Sequence, residues 1–247
     1  MGKKTKKALI LAGGLGTRLR PLTFAVPKPL IPVRGRPILD YIISRLSRFG
    51  FNDIYISLNY HGDMIKLYLA QKNFKKLQLN YLSESSPLGT AGPLSLFKKN
   101  GIKIGRDESL LVMNGDIMTD LSFADFLSCH ERSGADLSVA MINFAHQLSY
   151  GIIDLDDDNR IVDIREKPTL NYRASAGIYL VKGKCVELVP SKRYTMPELI
   201  ESAARQGQLV KGYLIKEHWL AIEQIKNLEE VNDEKKGDWI SKLRREK

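Results

Sequence analysis

A short apolar run that leads directly into glycines is the feature that most limits how this 247-residue chain can fold. Residues 8–12 are all apolar, and the run ends at Gly13 and Gly14. A continuous apolar run of this length is typical of a strand buried on both faces of a parallel sheet. The sequence therefore predicts a buried strand that delivers a glycine-rich loop.

The next 130 residues alternate between strand patterns and helix patterns. Further apolar runs lie at residues 54–58, 77–82, 110–113 and 137–142. Helical spacing of apolar residues lies between them, at residues 39–49, 64–69, 93–98 and 123–132, and Gly50 is a predicted helix C-cap. This βαβ rhythm predicts an α/β fold with a mostly parallel sheet.

The character of the pattern changes after residue 150. Residues 151–155 and 161–164 flank the acidic turn at 156–159, which predicts a β-hairpin. A strand at 174–180, a helix at 197–206, a strand at 209–215 and a final helix at 225–232 follow. We expect one domain over residues 1–247, in which a small antiparallel appendage is attached to the α/β layers.

The net charge of +10 is concentrated at the two ends of the chain. The first seven residues, a basic lead-in, contribute +4, and residues 235–247 contribute another +4, which leaves about +2 for the body. Such charge runs are usually solvated, so residues 233–247 are expected to be a charged tail. This distribution does not favour a nucleic-acid-binding surface.

The composition and the two cysteines indicate an ordinary globular protein of the cytoplasm. The chain is 43% hydrophobic and 27% charged, and no stretch approaches the length of a membrane span. Cys129 and Cys185 are far apart, and neither belongs to a CxxC pair, so neither a disulfide framework nor a zinc site is expected. No membrane or nucleic-acid partner is predicted, and self-association into a homo-oligomer is left open.

The loop after the first strand combines glycines, a hydroxyl and a guanidinium. Gly13, Gly14 and Gly16 let backbone N–H groups approach phosphate oxygens, and Thr17 and Arg18 follow at once. The segment is neither a Walker A motif nor a GxGxxG fingerprint. A tight turn between strand and helix is the alternative interpretation of the glycines alone.

Two charged residues outside this loop are also candidates for a phosphate site. Lys28 lies between Pro27 and Pro29, in a stretch with little backbone freedom, although a lone lysine is more often a surface residue. Asp116 follows an apolar strand and Gly115, where open α/β sheets place their ligands. Asp116 could equally cap the helix that begins near residue 123.

Taken together, the pattern GGxGTRLxPLT…PKPLxPV resembles the signature of the sugar-phosphate nucleotidylyltransferases, also called nucleoside-diphosphate-sugar pyrophosphorylases. The resemblance extends over most of the chain. It implies a Rossmann-like three-layer sandwich of the glycosyltransferase-A type, with a mixed, mostly parallel sheet. It also implies that Arg18 and Lys28 are catalytic. The nucleotide-binding residues that it implies in the first loop are Leu11, Gly13, Gly14, Gly16 and Thr17.

Other segments resemble the family in the same way. The segment from Glu84 through PLGTAGPL implies contacts of Glu84, Pro87, Gly89 and Thr90 with the nucleobase and ribose. Glu84 could accept hydrogen bonds from guanine, and a surface carboxylate is the alternative. The motif that contains Asp116 implies a carboxylate on Mg²⁺ at the triphosphate. The sugar-phosphate pocket is implied to include Gly151, Glu166, Lys167, Gly177 and Tyr179, although a solvated ion pair would also explain Glu166 and Lys167.

One segment departs from the family pattern. Members usually carry W-x-D-I-G, whose aspartate is a second ligand of the metal, whereas this chain reads Trp219-Leu-Ala-Ile-Glu223. Ala221 thus stands at the expected aspartate. Glu223 is predicted to take over as metal ligand if the strand continues that far, since alternate strand residues face one side. Otherwise Mg²⁺ would keep Asp116, substrate phosphates and waters.

The resemblance implies transfer of a nucleotidyl group from an NTP to a sugar-1-phosphate, with release of pyrophosphate. GTP is favoured, because the segment at Glu84 is most like guanylyltransferases and the transferase modules that carry tandem CBS domains; UTP, dTTP and CTP stay open. The chain could be free-standing or a module of a longer protein. Because of Ala221, the alternative is a nucleotide or nucleotide-sugar binding protein with little turnover.

Overall fold

The centre of the computed structural model, which describes residues 6–72, 74, 77–233 and 238–245, is a seven-stranded mixed sheet. Its strand order is β12-β8-β11-β6-β1-β4-β5. The strands are β1 (Lys6–Leu11), β4 (Phe51–Leu58), β5 (Gln78–Ser83), β6 (Ser109–Asn114), β8 (Leu137–Gln147), β11 (Thr169–Lys182) and β12 (Val210–Leu214). The neighbours β6, β1, β4 and β5 are parallel, as are β12 and β8, whereas β11 runs antiparallel between β6 and β8.

Helices cover both faces of this sheet. They are α1 (Leu22–Ala25), α2 (Ile38–Arg48), α3 (Gly62–Ala70), α4 (Ser95–Lys99), α5 (Phe123–Arg132), α6 (Gly183–Val186), α7 (Met196–Arg205), α8 (Ile225–Asn232) and α9 (Asp238–Arg245). Strand β1 shows the two-sided burial directly, since Ala8 and Ile10 belong to one hydrophobic core and Leu9 to the other, and all three are fully buried. The predicted three-layer α/β sandwich is confirmed. Within the described part of the chain, no helix has both the length and the apolar character needed to cross a bilayer.

Among the described residues, three two-stranded sheets are attached to the sandwich. The predicted antiparallel hairpin is confirmed as β9 (Ile152–Leu155) and β10 (Ile161–Arg165). The sequence did not indicate the other two, which are β2 (Pro32–Val33) with β3 (Arg36–Pro37), and β7 (Ile117–Thr119) with β13 (Trp219–Ala221). The pair β7–β13 places the segment of Ala221 beside that of Asp116.

The structure corrects the expected extent of both charged ends. Lys6 and Lys7 belong to β1 rather than to a basic lead-in, and the Lys7 ammonium lies 2.8 Å from the Glu108 carboxylate. The expectation of a solvated tail at 233–247 is wrong for residues 238–245, which form α9. Ile240 and Leu243, three residues apart on that helix, are buried in the main core because they share one helical face. Residues 1–5, 234–237, 246 and 247 lie outside the described part.

This packing predicts that α9 stabilises the fold. Replacing Ile240 by Ala should lower the free energy of unfolding by about 2–5 kcal/mol, because the change leaves a cavity in a filled core. The matched control is Ile225→Ala on α8, where the side chain is 45% exposed, and the expected loss there is below about 1 kcal/mol. Urea unfolding of the two variants and the parent measures both values. Equal, small losses would show that α9 does not pack as described.

Candidate functional site

A cleft of about 300 Å³ lies at the carboxyl edge of the sheet, where β1 and β6 end. Leu11 and Asn114, the last residues of these strands, are direct partners in the parallel register. Open α/β sheets bind their ligands at this edge. The cleft is lined by Leu11, Ala12, Gly13, Gly14, Gly16, Lys28, Pro29, Glu84, Pro87, Gly89, Thr90, Asn114, Gly115 and Asp116.

The lining brings together ten of the residues that the sequence and its resemblance indicated. The other predicted residues do not line it; they are Thr17, Arg18, Gly151, Glu166, Lys167, Gly177, Tyr179 and Glu223. The lining residues Ala12, Pro29, Asn114 and Gly115 were not among the predicted ligands. Each lies within two residues of a predicted one, and Ala12, Asn114 and Gly115 lie at the ends of β1 and β6, which is the sequence signal that could have found them.

The backbone of the glycine loop is fixed by a residue in the left-handed conformation and by a buried side chain. Gly16 has φ 60°, a conformation that glycine adopts without strain, and a short 3₁₀ helix, Thr17–Leu19, follows it. The Thr23 hydroxyl donates to the Gly16 carbonyl at 2.9 Å, and Leu19 is fully buried. The loop backbone is therefore fixed from below, while Thr17 and Arg18 are exposed at its outer side.

A second glycine sets how closely the loops after β1 and β6 approach each other. The Gly115 N–H donates to the Leu11 carbonyl at 2.8 Å. A Cβ on Gly115 would lie 2.8 Å from that same oxygen, closer than side chains tolerate. Gly115 is thus required for the contact that places Asp116 at the rim of the cleft.

Lys28 and Asp116 form an ion pair across the cleft. Lys28 lies in the 3₁₀ helix Lys28–Leu30, and its ammonium donates to Oδ2 of Asp116. Both side chains are mostly buried, with exposed fractions of 16% and 20%. The alternative role of Asp116 as a helix cap is wrong, because Ser122 caps α5 and accepts a hydrogen bond from the backbone N–H of Asp125.

The second oxygen of Asp116 is the feature that fits a metal ion. Oδ1 is buried, and no described residue donates a hydrogen bond to it. A carboxylate oxygen without a donor suits a hard cation such as Mg²⁺. In the part of the chain that the structure describes, no group of three His, Cys, Asp or Glu side chains could hold a metal by itself. A metal here would need ligands from the substrate or from water.

Arg18 and Glu223 form a second ion pair at the rim. The Arg18 guanidinium lies 2.5 Å from Oε2 of Glu223, and the side chains are 67% and 47% exposed. Strand β13 ends at Ala221, and the chain then turns, since the Glu223 N–H donates back to the Ala221 carbonyl at 3.0 Å. The strand continuation on which Glu223 as a metal ligand depended is therefore absent, and Glu223 contacts Arg18 instead.

The residues predicted to contact the nucleobase and ribose are held in place by neighbouring segments of the chain. Both carboxylate oxygens of Glu84 are engaged, one by the Ser57 hydroxyl and the other by the backbone N–H of Leu88 at 2.9 Å. Thr90 accepts from the Met196 N–H at 2.8 Å, and Gly89, at φ 81°, has no room for a Cβ beside the Tyr194 carbonyl. Glu84 is thus part of the cleft rather than a free surface carboxylate.

The predicted sugar-phosphate residues lie in three different places. Gly151, Glu166 and Lys167 meet at the base of the β9–β10 hairpin, where an exposed ion pair of 3.7 Å joins Glu166 and Lys167. Gly177 packs under Asn114, since a Cβ there would lie 2.6 Å from the Asn114 amide nitrogen. Tyr179, by contrast, is 6% exposed, and burial raises the pKa of its hydroxyl. The structure does not bring Tyr179 to the cleft.

Comparisons with known proteins bear on the family to which the chain belongs. A family model described as nucleotidyl transferase matches residues 7–236. The mannose-1-phosphate guanyltransferase of Aspergillus fumigatus is 34% identical over 235 residues, which cover 90% of this chain and 62% of that protein. The mannose-1-phosphate guanyltransferase of Debaryomyces hansenii is 32% identical over 234 residues, with the same coverage. The chain spans about three fifths of the length of these curated relatives.

A solved structure shows the same architecture over almost the whole chain. HddC from Yersinia pseudotuberculosis matches with a TM-score of 0.70 and 25% identity, and the match covers 95% of this chain and 99% of that one. Because the family model covers most of the sequence and the curated relatives exceed 30% identity, this chain belongs to the nucleotidyl transferase family.

Proposed function

We propose that the protein transfers a nucleotidyl group from an NTP, with GTP favoured, to a sugar-1-phosphate, and releases pyrophosphate. The observation that carries the proposal is the pairing of Lys28 with Asp116 over the glycine loop. A cation for phosphate, a carboxylate for metal and backbone N–H groups meet there at the ligand edge of the sheet. The mannose-1-phosphate guanyltransferases among the relatives support the same reaction class.

In this reaction an oxygen of the sugar-1-phosphate attacks the α-phosphorus of the NTP. A new P–O bond forms there as the bond from the α-phosphorus to the bridging oxygen breaks, and pyrophosphate leaves with that electron pair. Such chemistry needs positioning and charge neutralisation more than a covalent nucleophile. Lys28 and Arg18 would neutralise phosphate charge by charge-assisted hydrogen bonds.

Asp116 is the residue that would hold Mg²⁺, through the oxygen that has no donor. The ion would draw negative charge from the triphosphate oxygens when bound. Lys28 would then exchange Asp116 for phosphate, so the carboxylate and the ammonium each gain a partner of opposite charge. Glu223, predicted as the second ligand, contacts Arg18 instead, so Mg²⁺ would keep Asp116, substrate phosphates and waters.

The preference for GTP rests on Glu84 and on the relatives. Although Glu84 accepts two hydrogen bonds from Ser57 and Leu88, a carboxylate has about four lone-pair sites, so it can still accept from a guanine edge. The sugar-1-phosphate is proposed to lie toward Gly177 and the base of the β9–β10 hairpin, where Glu166 and Lys167 offer an acceptor and a donor. A cytoplasmic location is part of this proposal.

The second candidate function is nucleotide binding with little or no turnover. Ala221 carries no carboxylate at the place where the family has one, and Glu223 is engaged by Arg18. The active enzyme is the better supported of the two, since the other phosphate-binding groups are present and electrostatic stabilisation is usually the largest catalytic contribution.

A pyrophosphate-release assay separates the two candidates. GTP, UTP, dTTP and CTP are each combined with mannose-1-phosphate, glucose-1-phosphate and N-acetylglucosamine-1-phosphate, with and without Mg²⁺. We expect Mg²⁺-dependent release that is fastest with GTP. Silence in every combination, while GTP still binds in a calorimetric titration, would reject the transferase and leave the binding protein.

Restoring the missing carboxylate should strengthen metal binding. Ala221 is the last residue of β13, and the next N–H, that of Ile222, donates to the Asp116 carbonyl at 2.9 Å, so a carboxylate at 221 lies beside the first ligand. We expect Ala221→Asp to lower the Mg²⁺ concentration for half-maximal rate by at least about threefold. Ala145→Asp, on the exposed part of β8, is the control of equal charge. An unchanged or higher Mg²⁺ requirement would show that another group already fills the position.

A further inference from the structure

The ion pair between Arg18 and Glu223 joins two segments that are 205 residues apart in the chain. Arg18 belongs to the phosphate loop, and Glu223 lies between β13 and α8. At a 2.5 Å separation, Glu223 occupies the donor group that the proposed reaction assigns to phosphate. A carboxylate on an arginine presents the same kind of charged oxygen acceptor as a phosphate does.

The backbone on both sides of this pair is fixed. The Glu223 N–H and the Gln224 N–H both donate to Oδ1 of Asn227, at 3.2 and 2.9 Å, within the capping box that begins α8. On the other side, buried Leu19 and the bond from Thr23 to Gly16 hold the turn that carries Arg18. The backbones at Arg18 and Glu223 are thus held in place by other interactions and do not depend on the ion pair between the two side chains.

The charged tips, in contrast, are exposed to solvent. The side chains of Arg18 and Glu223 are 67% and 47% exposed, whereas those of Lys28 and Asp116 are at most 20% exposed. Exposed ion pairs contribute little to stability, so an incoming ligand can replace one partner at low cost. A triphosphate carries several negative charges against the single charge of Glu223, and it therefore wins the competition for the guanidinium.

We propose that Glu223 is an internal competitor of the nucleotide: its carboxylate occupies Arg18 until the polyphosphate displaces it. The inference rests on the proposed function, because it takes a nucleotide triphosphate as the displacing ligand. It assigns Glu223 a role in setting nucleotide affinity, with Arg18 rather than the metal as its partner. Glu223 stands at the glycine of the W-x-D-I-G pattern that the segment resembles, so the competing carboxylate is specific to this chain.

The test is calorimetric binding of GTP in EDTA, which excludes metal effects. Relative to the parent protein, Glu223→Gln should bind GTP about three- to tenfold more tightly, because the competing charge is gone. The charge-matched control is Glu230→Gln, at an exposed position of α8, and its affinity should stay within about 1.5-fold of the parent. Thermal unfolding of both variants checks that the fold is retained.

A double-mutant cycle identifies Arg18 as the group for which Glu223 competes. In an Arg18→Gln background, the further change Glu223→Gln should alter GTP affinity by less than about twofold, since the contested group is absent. An equal gain in both backgrounds would overturn the proposal, because it would reflect repulsion of the nucleotide by Glu223 alone. No gain in the Arg18-containing protein would overturn it as well.

A titration with Mg²⁺ present separates this role from metal binding. Tighter GTP binding by Glu223→Gln both with and without Mg²⁺ supports the competitor. Weaker binding only with Mg²⁺ would overturn the proposal and assign Glu223 to the metal. If the parent protein binds none of the four NTPs, the proposed function fails and the inference fails with it. Binding by the parent with no difference among the variants rejects the inference alone.

Discussion

The parallel pairing of β1 with β6 is the constraint on which the site depends. Their register brings Leu11 opposite Asn114, and the N–H of Gly115 then reaches the Leu11 carbonyl. No side chain fits at that contact, so the two strand ends can meet only with glycine there. The glycine loop after β1 and Asp116 after β6 are brought together by this contact, and burial of both sheet faces holds the strands in register.

The charges of the site form two pairs that differ in exposure, one inside the cleft and one at its rim. Lys28 with Asp116 is mostly buried, and Arg18 with Glu223 is mostly exposed. In both pairs the cation comes from the segment after β1, and the carboxylate comes from the opposite side, near β7 and β13. In the proposed complex, phosphate groups would replace the carboxylates as partners of the two cations. The metal ion would replace a cation as the partner of a carboxylate. Both cations, Lys28 and Arg18, thus have a carboxylate partner in the protein without a ligand.

Local sequence patterns predicted the alternating α/β elements and the glycine loop because both depend on nearby residues, and the family resemblance implied the three-layer sandwich. The apolar run at 8–12, the alternation of strands and helices and the glycines at 13, 14 and 16 each leave a signal within a few residues. Short elements left none: β7 and β13 are three residues each and find each other across about 100 residues. Helix α9 was not predicted because the apolar residues that pack on the core, Trp239, Ile240 and Leu243, are few and stand among lysines and arginines in the sequence.

The candidate site shows the same difference between local sequence signals and long-range contacts. The resemblance identified ten residues of the cleft lining, but the partners of its charged residues are long-range and could not be inferred from spacing. Glu223 lies on Arg18 because the chain turns after Ala221, and a turn of this kind has no simple sequence pattern. Tyr179 is buried because β11 lies inside the sheet between β8 and β6 and both faces are covered there, so residues 176–181 are all buried and no alternating pattern marks which side chain reaches the cleft.

The central claim is that a nucleoside triphosphate occupies the cleft at the ends of β1 and β6. Its phosphates bind Lys28 and Arg18 in place of the carboxylates. A crystal structure with Mg²⁺ and a non-hydrolysable GTP analogue tests it most directly. The account predicts phosphate oxygens on the Gly13–Gly16 loop, with Lys28 and Arg18 turned from their carboxylates to the phosphates. A nucleotide bound elsewhere, or bound with both ion pairs intact, would contradict it.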